Sequence, residues 1–287
     1  MEWRYSAAKD PATPAAMLMS LLDFKDCRLH LSQNPSSPTA LLEELSTKEA
    51  FEHLDPLNRR MAVANVLRHS NTSPEAISRI LEWTEGYLNK VFEGESPENV
   101  SNRLDSYFYP SAADNQNTPV KYLIKFIKSD DETTLSYVVK NPNLPQEFID
   151  EFAELLVSQN GTDSPKLYDR VAENPNLAAK YFPALAKHSK WFVRDHIARN
   201  PSTPGEVLMG MLKDEDFMVR IGCLMNPNLP LEGLEYFANQ TKQELRQLGQ
   251  NWIDDHIQNV KRSILRNKNA SEDLKSWVSS EEWLKSR

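Results

Sequence analysis

The residues able to do chemistry in this chain are few and scattered. Cys27 and Cys223 are the only cysteines, too few for a disulfide framework or for a four-cysteine metal or iron–sulfur site. His188, His196 and the run Asp254-Asp255-His256 supply metal-ligand residue types. None falls in the His-Glu-x-x-His or Cys-x-x-Cys spacing that would bring two ligands to one ion, so solvated helix faces account for them more simply. The sequence holds no G-x-G-x-x-G turn, no phosphate loop ending in Gly-Lys-Ser/Thr and no G-x-S-x-G elbow. No enzyme, metal or cofactor is expected.

The segment 187–199, Lys-His-Ser-Lys-Trp-Phe-Val-Arg-Asp-His-Ile-Ala-Arg, is richer in binding chemistry. Lys187, Lys190, Trp191 and Arg199 are read as the partner-binding residues, because Trp and Arg most often dominate binding energy at protein interfaces. The alternative is that Trp191 packs between structural units and the lysines are merely solvated. Acidic residues Asp130, Asp131, Glu132, Glu147, Asp150 and Glu151 lie elsewhere, and opposite-sign regions orient a partner by long-range attraction.

Composition narrows the class of partner. The 287 residues carry 33 Lys+Arg against 41 Asp+Glu, a formal net charge of −8. Proteins that live on nucleic acid or on anionic membranes need the opposite balance to neutralise phosphate. With 40% hydrophobic residues the chain buries a real core. No run approaches a membrane span and the N-terminus lacks a signal-peptide layout. A soluble, cytoplasmic, monomeric protein that binds another protein, and neither nucleic acid nor membrane, is expected.

Eight glycines against eighteen prolines point to what positions these residues. The strings starting at Asp10, Asn34, Asn141, Asn200 and Asn226 share one theme, Asn-Pro-x-x-Pro, with degenerate copies starting at Ser70, Asn115, Asn174 and Asn267. The anchors are separated by 24, 36, 45, 26, 33, 26, 26 and 41 residues, a basic unit of 24–26 residues with insertions around 47–58 and 84–109. The second insertion holds Trp83, Tyr87, Phe92, Tyr107, Phe108 and Tyr109 at or beside it. Such insertions either lengthen helices and close gaps, or project as a binding edge.

An apolar pattern travels with the anchors. Eleven residues on stand Leu21, Leu45, Leu81, Phe126, Phe152, Leu185, Met211, Phe237 and Val278; seven on, every residue but Gly233 is apolar, beginning with Met17. Seven and three residues before the anchors run Cys27 with Leu31, Val63 with Leu67, Val193 with Ile197, Val219 with Cys223, and Val260 with Ile264. Two i, i+4 stripes flank each anchor, so each unit is a helix pair. Both cysteines fall in columns filled by aliphatic residues and read as small buried hydrophobes. Arg28, Arg194, Arg220 and Lys261 recur six before the anchor, near Asp23, Asp26, Asp214 and Asp216. They form either a ladder between units or a basic strip.

Local chemistry explains the joint. A residue before proline is driven out of the helical region, so each Asn ends a helix. Thr13, Ser37, Ser73, Thr118 and Thr203 precede the next helix as N-caps, with Glu206 completing a capping box for Thr203, and the second Pro suits the first helical position. The one loop-like break is Ser158–Pro165.

Val193-Arg194-Asp195-His196-Ile197-Ala198-Arg199-Asn200-Pro201-Ser202-Thr203-Pro204, followed by Leu208, Leu212 and Asp214, resembles the variant leucine-rich repeat, and more widely the HEAT and armadillo helical repeats. That resemblance implies an all-α, right-handed solenoid of about nine helix pairs, here a single domain over residues 1–287. Its function would be non-enzymatic protein recognition, as an adaptor, inhibitor or toxin-neutralising protein. Some members carry a cysteine-rich iron–sulfur segment, for which this chain lacks the residues. The alternative is a nucleic-acid enzyme similar to HEAT-like DNA glycosylases, which use an aromatic and acidic cluster; Trp191 with Asp195 would supply it. Circular dichroism is expected to show a mostly helical protein; a β-dominated spectrum would end the helix-pair reading.

Overall fold

The computed structural model describes residues 2–91, 108–129, 131–158, 168–236 and 261–280, and every regular element among them is an α- or 3₁₀-helix, with no strand. Two compact units divide the chain, Met1–Pro145 and Gln146–Arg287. In the first, short helices alternate about the anchors: Glu2–Lys9, Ala15–Leu21, Arg28–Gln33, Thr39–Leu45, Pro56–Arg68, Pro74–Val91, Tyr109–Asp114, Val120–Phe126 and Glu132–Lys140. In the second the pattern continues through Gln146–Ser158, the 3₁₀ turn Tyr168–Glu173, Phe182–Leu185, Trp191–Arg199, Gly205–Met211, Phe217–Met225 and Glu272–Ser279. Helices this short are unstable alone and depend on their neighbours.

The anchors do more than stop helices. Each Asn turns extended, and its Oδ1 accepts the N–H two residues on: Ser36 to Asn34, Asn117 to Asn115, Asn143 to Asn141, Asn176 to Asn174, Ser202 to Asn200, Asn228 to Asn226 and Asn269 to Asn267, all at 2.8–2.9 Å. The same side chain donates through Nδ2 to the helix end of the preceding pair. Asn34 reaches the carbonyls of Ala8 and Asp10, Asn115 those of Leu67 and His69, and Asn141 those of Ala113 and Asn115. In the second unit Asn200 reaches Ala172 and Asn174, Asn226 reaches Ala198 and Asn200, and Asn267 reaches Asn226. These carbonyls are the free acceptors at a helix C-terminus. One buried carboxamide thus shapes its own joint and fastens it to the previous one.

A second row lies two residues further on. Ser36 donates to the Pro11 carbonyl at 2.6 Å, Asn117 to Ser70 and Thr72, Asn228 to Pro201 at 2.6 Å, and Asn269 to Pro227 and Leu229.

The third joint starts one residue earlier than the sequence suggests, at His69 rather than Ser70. The Pro56–Arg68 helix ends there, His69 Nε2 lies 2.9 Å from the Asn34 carbonyl, and His69 Nδ1 accepts the Asn71 N–H at 3.0 Å. The backbone donor at Nδ1 assigns the proton to Nε2, so the ring takes both roles of the carboxamide. A motif search for Asn or Pro passes over it.

The hydroxyls also differ from expectation. Thr13, Ser37, Thr72, Thr118 and Thr203 donate backwards, at 2.5–2.7 Å, to carbonyls six residues earlier in the helix just ended. Pro14, Pro38, Pro119 and Pro204 occupy the N-cap position, outside the helix, without a side-chain cap. Thr203 therefore forms no capping box with Glu206. Where serine replaces that proline, it caps: Ser73 accepts the Ala76 N–H and Ser271 the Leu274 N–H.

The apolar columns build the core, and a further column joins them. Leu18, Leu42, Ile77, Leu123, Ile149, Phe182, Leu208 and Leu234, eight after the anchors, are essentially fully buried and pair with the column eleven after. The position seven after is buried too in Leu41, Tyr122, Tyr181 and Leu274, while Met17 is 38% exposed. At Gly233 the space is tight: a Cβ there would come within 2.7 Å of Leu229 Cδ1 and 2.8 Å of Met209 Sδ, so those side-chain ends would have to shift.

The insertion at 47–58 folds inward. Its 3₁₀ turn Lys48–Phe51 buries Ala50 and Phe51, and Arg59 donates to the carbonyls of Phe51, Glu52 and Leu54. In the insertion at 84–109, the Pro74–Val91 helix takes the first part and buried Phe108 and Tyr109 close the end. Just before it, Trp83 donates to the Ser46 carbonyl at 3.0 Å. Residues 92–107, with Phe92 and Tyr107, the Tyr87 side chain, and the break at 159–165 lie outside the described residues, as do Phe237 and Val260.

Replacing Asn200 by Ala would leave the Ala172 and Asn174 carbonyls without that donor and open the Ser202 turn, at an expected cost of about 2–4 kcal/mol. His69→Asn keeps every contact and is expected to change stability by less than about 1 kcal/mol. Chemical denaturation of the two variants checks both; an unchanged midpoint in Asn200→Ala would remove the ladder from the account of stability.

Candidate functional site

The Trp191–Arg199 helix turns Val193, Ile197 and Ala198 to the core. Trp191 sits at its first residue, 46% exposed, with its ring edge-on to Phe192 at 6.0 Å between centroids. Lys187 is exposed, and half-buried Lys190 holds Nζ 5.9 Å from the Phe192 ring centre. These three gather at the N-terminal end. Arg199 stands at the other end, about 12 Å away by helix rise, where its Nε binds both carboxylate oxygens of Asp195 at 2.8 and 3.0 Å and its Nη1 lies 3.3 Å from Met225 Sδ. Four residues grouped in sequence thus fall into a cluster of three and a separate, paired arginine. The Asp195 carboxylate that the glycosylase alternative needs is held by that arginine.

The recurring arginines are scaffold. Arg194 is buried and grips Asp214 through Nε and Nη2 at 2.7 and 2.9 Å, while its Nη1 donates to the His188 carbonyl at 2.8 Å. The hydrogen bonds to Asp214 hold its guanidinium even more firmly protonated than usual. Arg28 and Arg220 repeat the second contact, donating to Leu22 and Asp214 carbonyls at the same position of their own units. Removing one partner of a buried pair such as Arg194–Asp214 typically costs about 3–5 kcal/mol, because the other charge is left desolvated.

Both cysteines are fully buried and free. Burial pushes the Cys223 thiol up to about 12, and Cys27 upward as well; neither is a nucleophile at neutral pH. His188 is not on a solvated face: it is 2% exposed, and its Nδ1 accepts the Lys190 N–H at 3.2 Å. His196 faces Glu173 at 3.2 Å. Asp254, Asp255 and His256 lie outside the described residues. Among the described residues no three His, Cys, Asp or Glu side chains converge on a metal-sized site. A pocket of about 210 Å³ in the first unit lies between Leu22, Arg28, Glu44, Thr47, Glu49 and Ala50, and its arginine already serves the Leu22 and Ala50 carbonyls.

The surface that sequence reasoning under-read belongs to the next helix. Phe217–Met225 exposes Met218 (44%) and Met225 (57%), two turns apart on one face. Their seven-residue spacing is the trace this face leaves in the sequence. Gly222 lets this helix approach its neighbour, since a Cβ there would meet Ala198 Cβ and Asp195 Oδ1 at 2.9 Å.

No protein-family model and no curated protein sequence matches this chain. Among the described residues, no helix is long and apolar enough to cross a membrane.

Burial, with Lys190 and Arg194 nearby, lowers the His188 pKa. The unfolded chain therefore binds a proton on this ring before the folded protein does, so its contribution is complete above the unfolded value of about 6.5 and is lost as pH falls through the interval below it. Stability is expected to fall on acidification from about pH 7 to about pH 5. His188→Asn keeps an acceptor for the Lys190 N–H and should shrink that loss, read as the difference in denaturation midpoints; an identical pH profile would exclude His188 as a contributor.

Proposed function

We propose that the chain is a non-enzymatic protein-recognition module: a cytoplasmic, monomeric, right-handed solenoid of about nine helix pairs of the variant leucine-rich or HEAT-armadillo kind. It would act as an adaptor, inhibitor or toxin-neutralising protein. One observation carries this proposal. The polar side chains that recur from unit to unit, Asn34, Asn115, Asn141, Asn200 and Asn226, are buried and bonded to backbone, whereas the residue just before each anchor is exposed or half-buried and changes in chemistry: Lys9, Gln33, Arg68, Asp114, Lys140, Glu173, Arg199, Met225 and Arg266. A scaffold built from constant joints with variable outward positions suits recognition of a macromolecular surface. Lys187 and Trp191, exposed, with half-buried Lys190 beside them, would contribute to that recognition.

Crosslinking of the full-length protein in its native host, followed by mass spectrometry, is expected to join a partner protein to Lys187 or Lys190. Changing Lys187, Lys190 and Arg199 together to Glu should weaken that partner more than tenfold while preserving the helical spectrum. Salt-sensitive retention on duplex DNA, with no protein partner, would overturn the proposal in favour of a nucleic-acid enzyme.

A further inference from the structure

Besides the cluster at Trp191, exposed apolar side chains of the second unit meet cations along the Phe217–Met225 helix. The bonds from Asn226 Nδ2 to the Asn200 carbonyl (2.7 Å) and from Asn267 Nδ2 to the Asn226 carbonyl (3.0 Å) hold three consecutive joints in register. The residues just before these anchors, Arg199, Met225 and Arg266, therefore lie side by side, and so do those five before, Asp195, Ile221 and Arg262. Met225 is 57% exposed between its two arginines, and Leu265, beside Arg266, is 40% exposed. Met218 and Met225 share one helix face, with the buried side chain of Ile221 between them. At the N-terminal end of that helix, Asp214, Glu215 and Asp216 are met by Arg194, which binds Asp214 and Glu215, and by Arg220, which donates to the Asp214 and Glu215 carbonyls. Toward its C-terminal end the register of the joints brings Arg266 and Arg262 to the side away from Arg199, which is paired with Asp195.

We propose that this face docks an acidic segment of another protein, laying apolar side chains on Met218 and Met225 and placing carboxylates against Arg266, Arg262 and Arg199. This rests on the chain being a protein-recognition module, and names the surface and the chemistry of its partner. Unbranched methionines adapt to partner side chains of varied shape. Guanidinium groups bind carboxylates in a two-pronged fashion and tolerate desolvation better than lysine. An apolar line bordered by like charges has the anatomy of an interface, with an apolar centre and a polar rim. Nucleic acid fits less well, because exposed methionines offer phosphate nothing and the chain carries a formal net charge of −8.

The test is selection of phage-displayed random dodecapeptides on the full-length protein, followed by fluorescence polarisation with the enriched peptides. Peptides combining Asp or Glu with bulky apolar residues are expected. Their affinity should fall at least tenfold in Arg266→Glu and in Met225→Ser, both exposed positions whose variants should keep the helical spectrum. It should stay within twofold in Leu57→Ser, an exposed apolar position of the first unit. Enrichment of neutral or basic peptides, affinity within twofold of wild type in both variants, or no enrichment at all would overturn the proposal. A crosslinked partner protein would then still uphold the recognition role, at another surface.

Discussion

A single carboxamide geometry governs this protein. An asparagine side chain offers an oxygen that accepts and an NH₂ that donates twice, and the joint between two helices presents the matching set: one free N–H two residues on and two free carbonyls at the end of the neighbouring helix. Asn34, Asn115, Asn141, Asn200 and Asn226 meet all three at once, which is why they are buried without cost to hydrogen bonding. The exceptions follow the same physics. Asp10 has no donor and makes only the acceptor contact, with the Ala12 N–H at 2.9 Å. His69 holds an acceptor and a donor on opposite sides of its ring and fills both places.

Everything else at the joints relieves groups that the asparagine does not reach. Hydroxyls six residues beyond a helical carbonyl bind it, as Thr118 does with Ala112 and Thr203 with Ile197. Arginines six before the anchor bind carbonyls in the turn that opens the unit, and Arg194 adds the carboxylate of Asp214 from the next. Prolines occupy places where no N–H is needed. Most of the helices are only about two turns long, so a large share of their backbone groups lies at ends that these side chains satisfy.

This division of labour bears on function. Joints and core consume the recurrent residues, so a protein partner of the kind proposed would have what remains to bind: outward positions on the first helix of each pair, where Arg199, Met225 and Arg266 stand in a row. Close packing at Gly222 brings that row together, since a larger residue would push the Phe217–Met225 helix off Asp195 and Ala198. The surface is a by-product of the scaffold's spacing, and its chemistry varies without disturbing the ladder.

Helix content, the two-helix unit and the burial of both cysteines were legible in the sequence, because proline and apolar spacing are local signals that act before any tertiary contact forms. The sequence also suggested that the recurring Arg and Asp make a ladder; Arg194 and Asp214 pair in this way, whereas Arg28 and Arg220 bind backbone carbonyls instead. Three things needed the tertiary structure. His69 as a joint was invisible, since its equivalence to asparagine lies in where two ring nitrogens point and not in residue type. The hydroxyls of Thr13, Ser37, Thr118 and Thr203 had two acceptable partners, a following N–H or a preceding carbonyl, and only the fixed angle of the joint chose the carbonyl. The four residues Lys187, Lys190, Trp191 and Arg199 looked like one patch along the chain. A nine-residue helix with its core face turned inward separates Arg199 from the other three and sets it beside Met225, 26 residues on, because neighbours on a stacked surface are chosen by the repeat length and not by proximity in sequence.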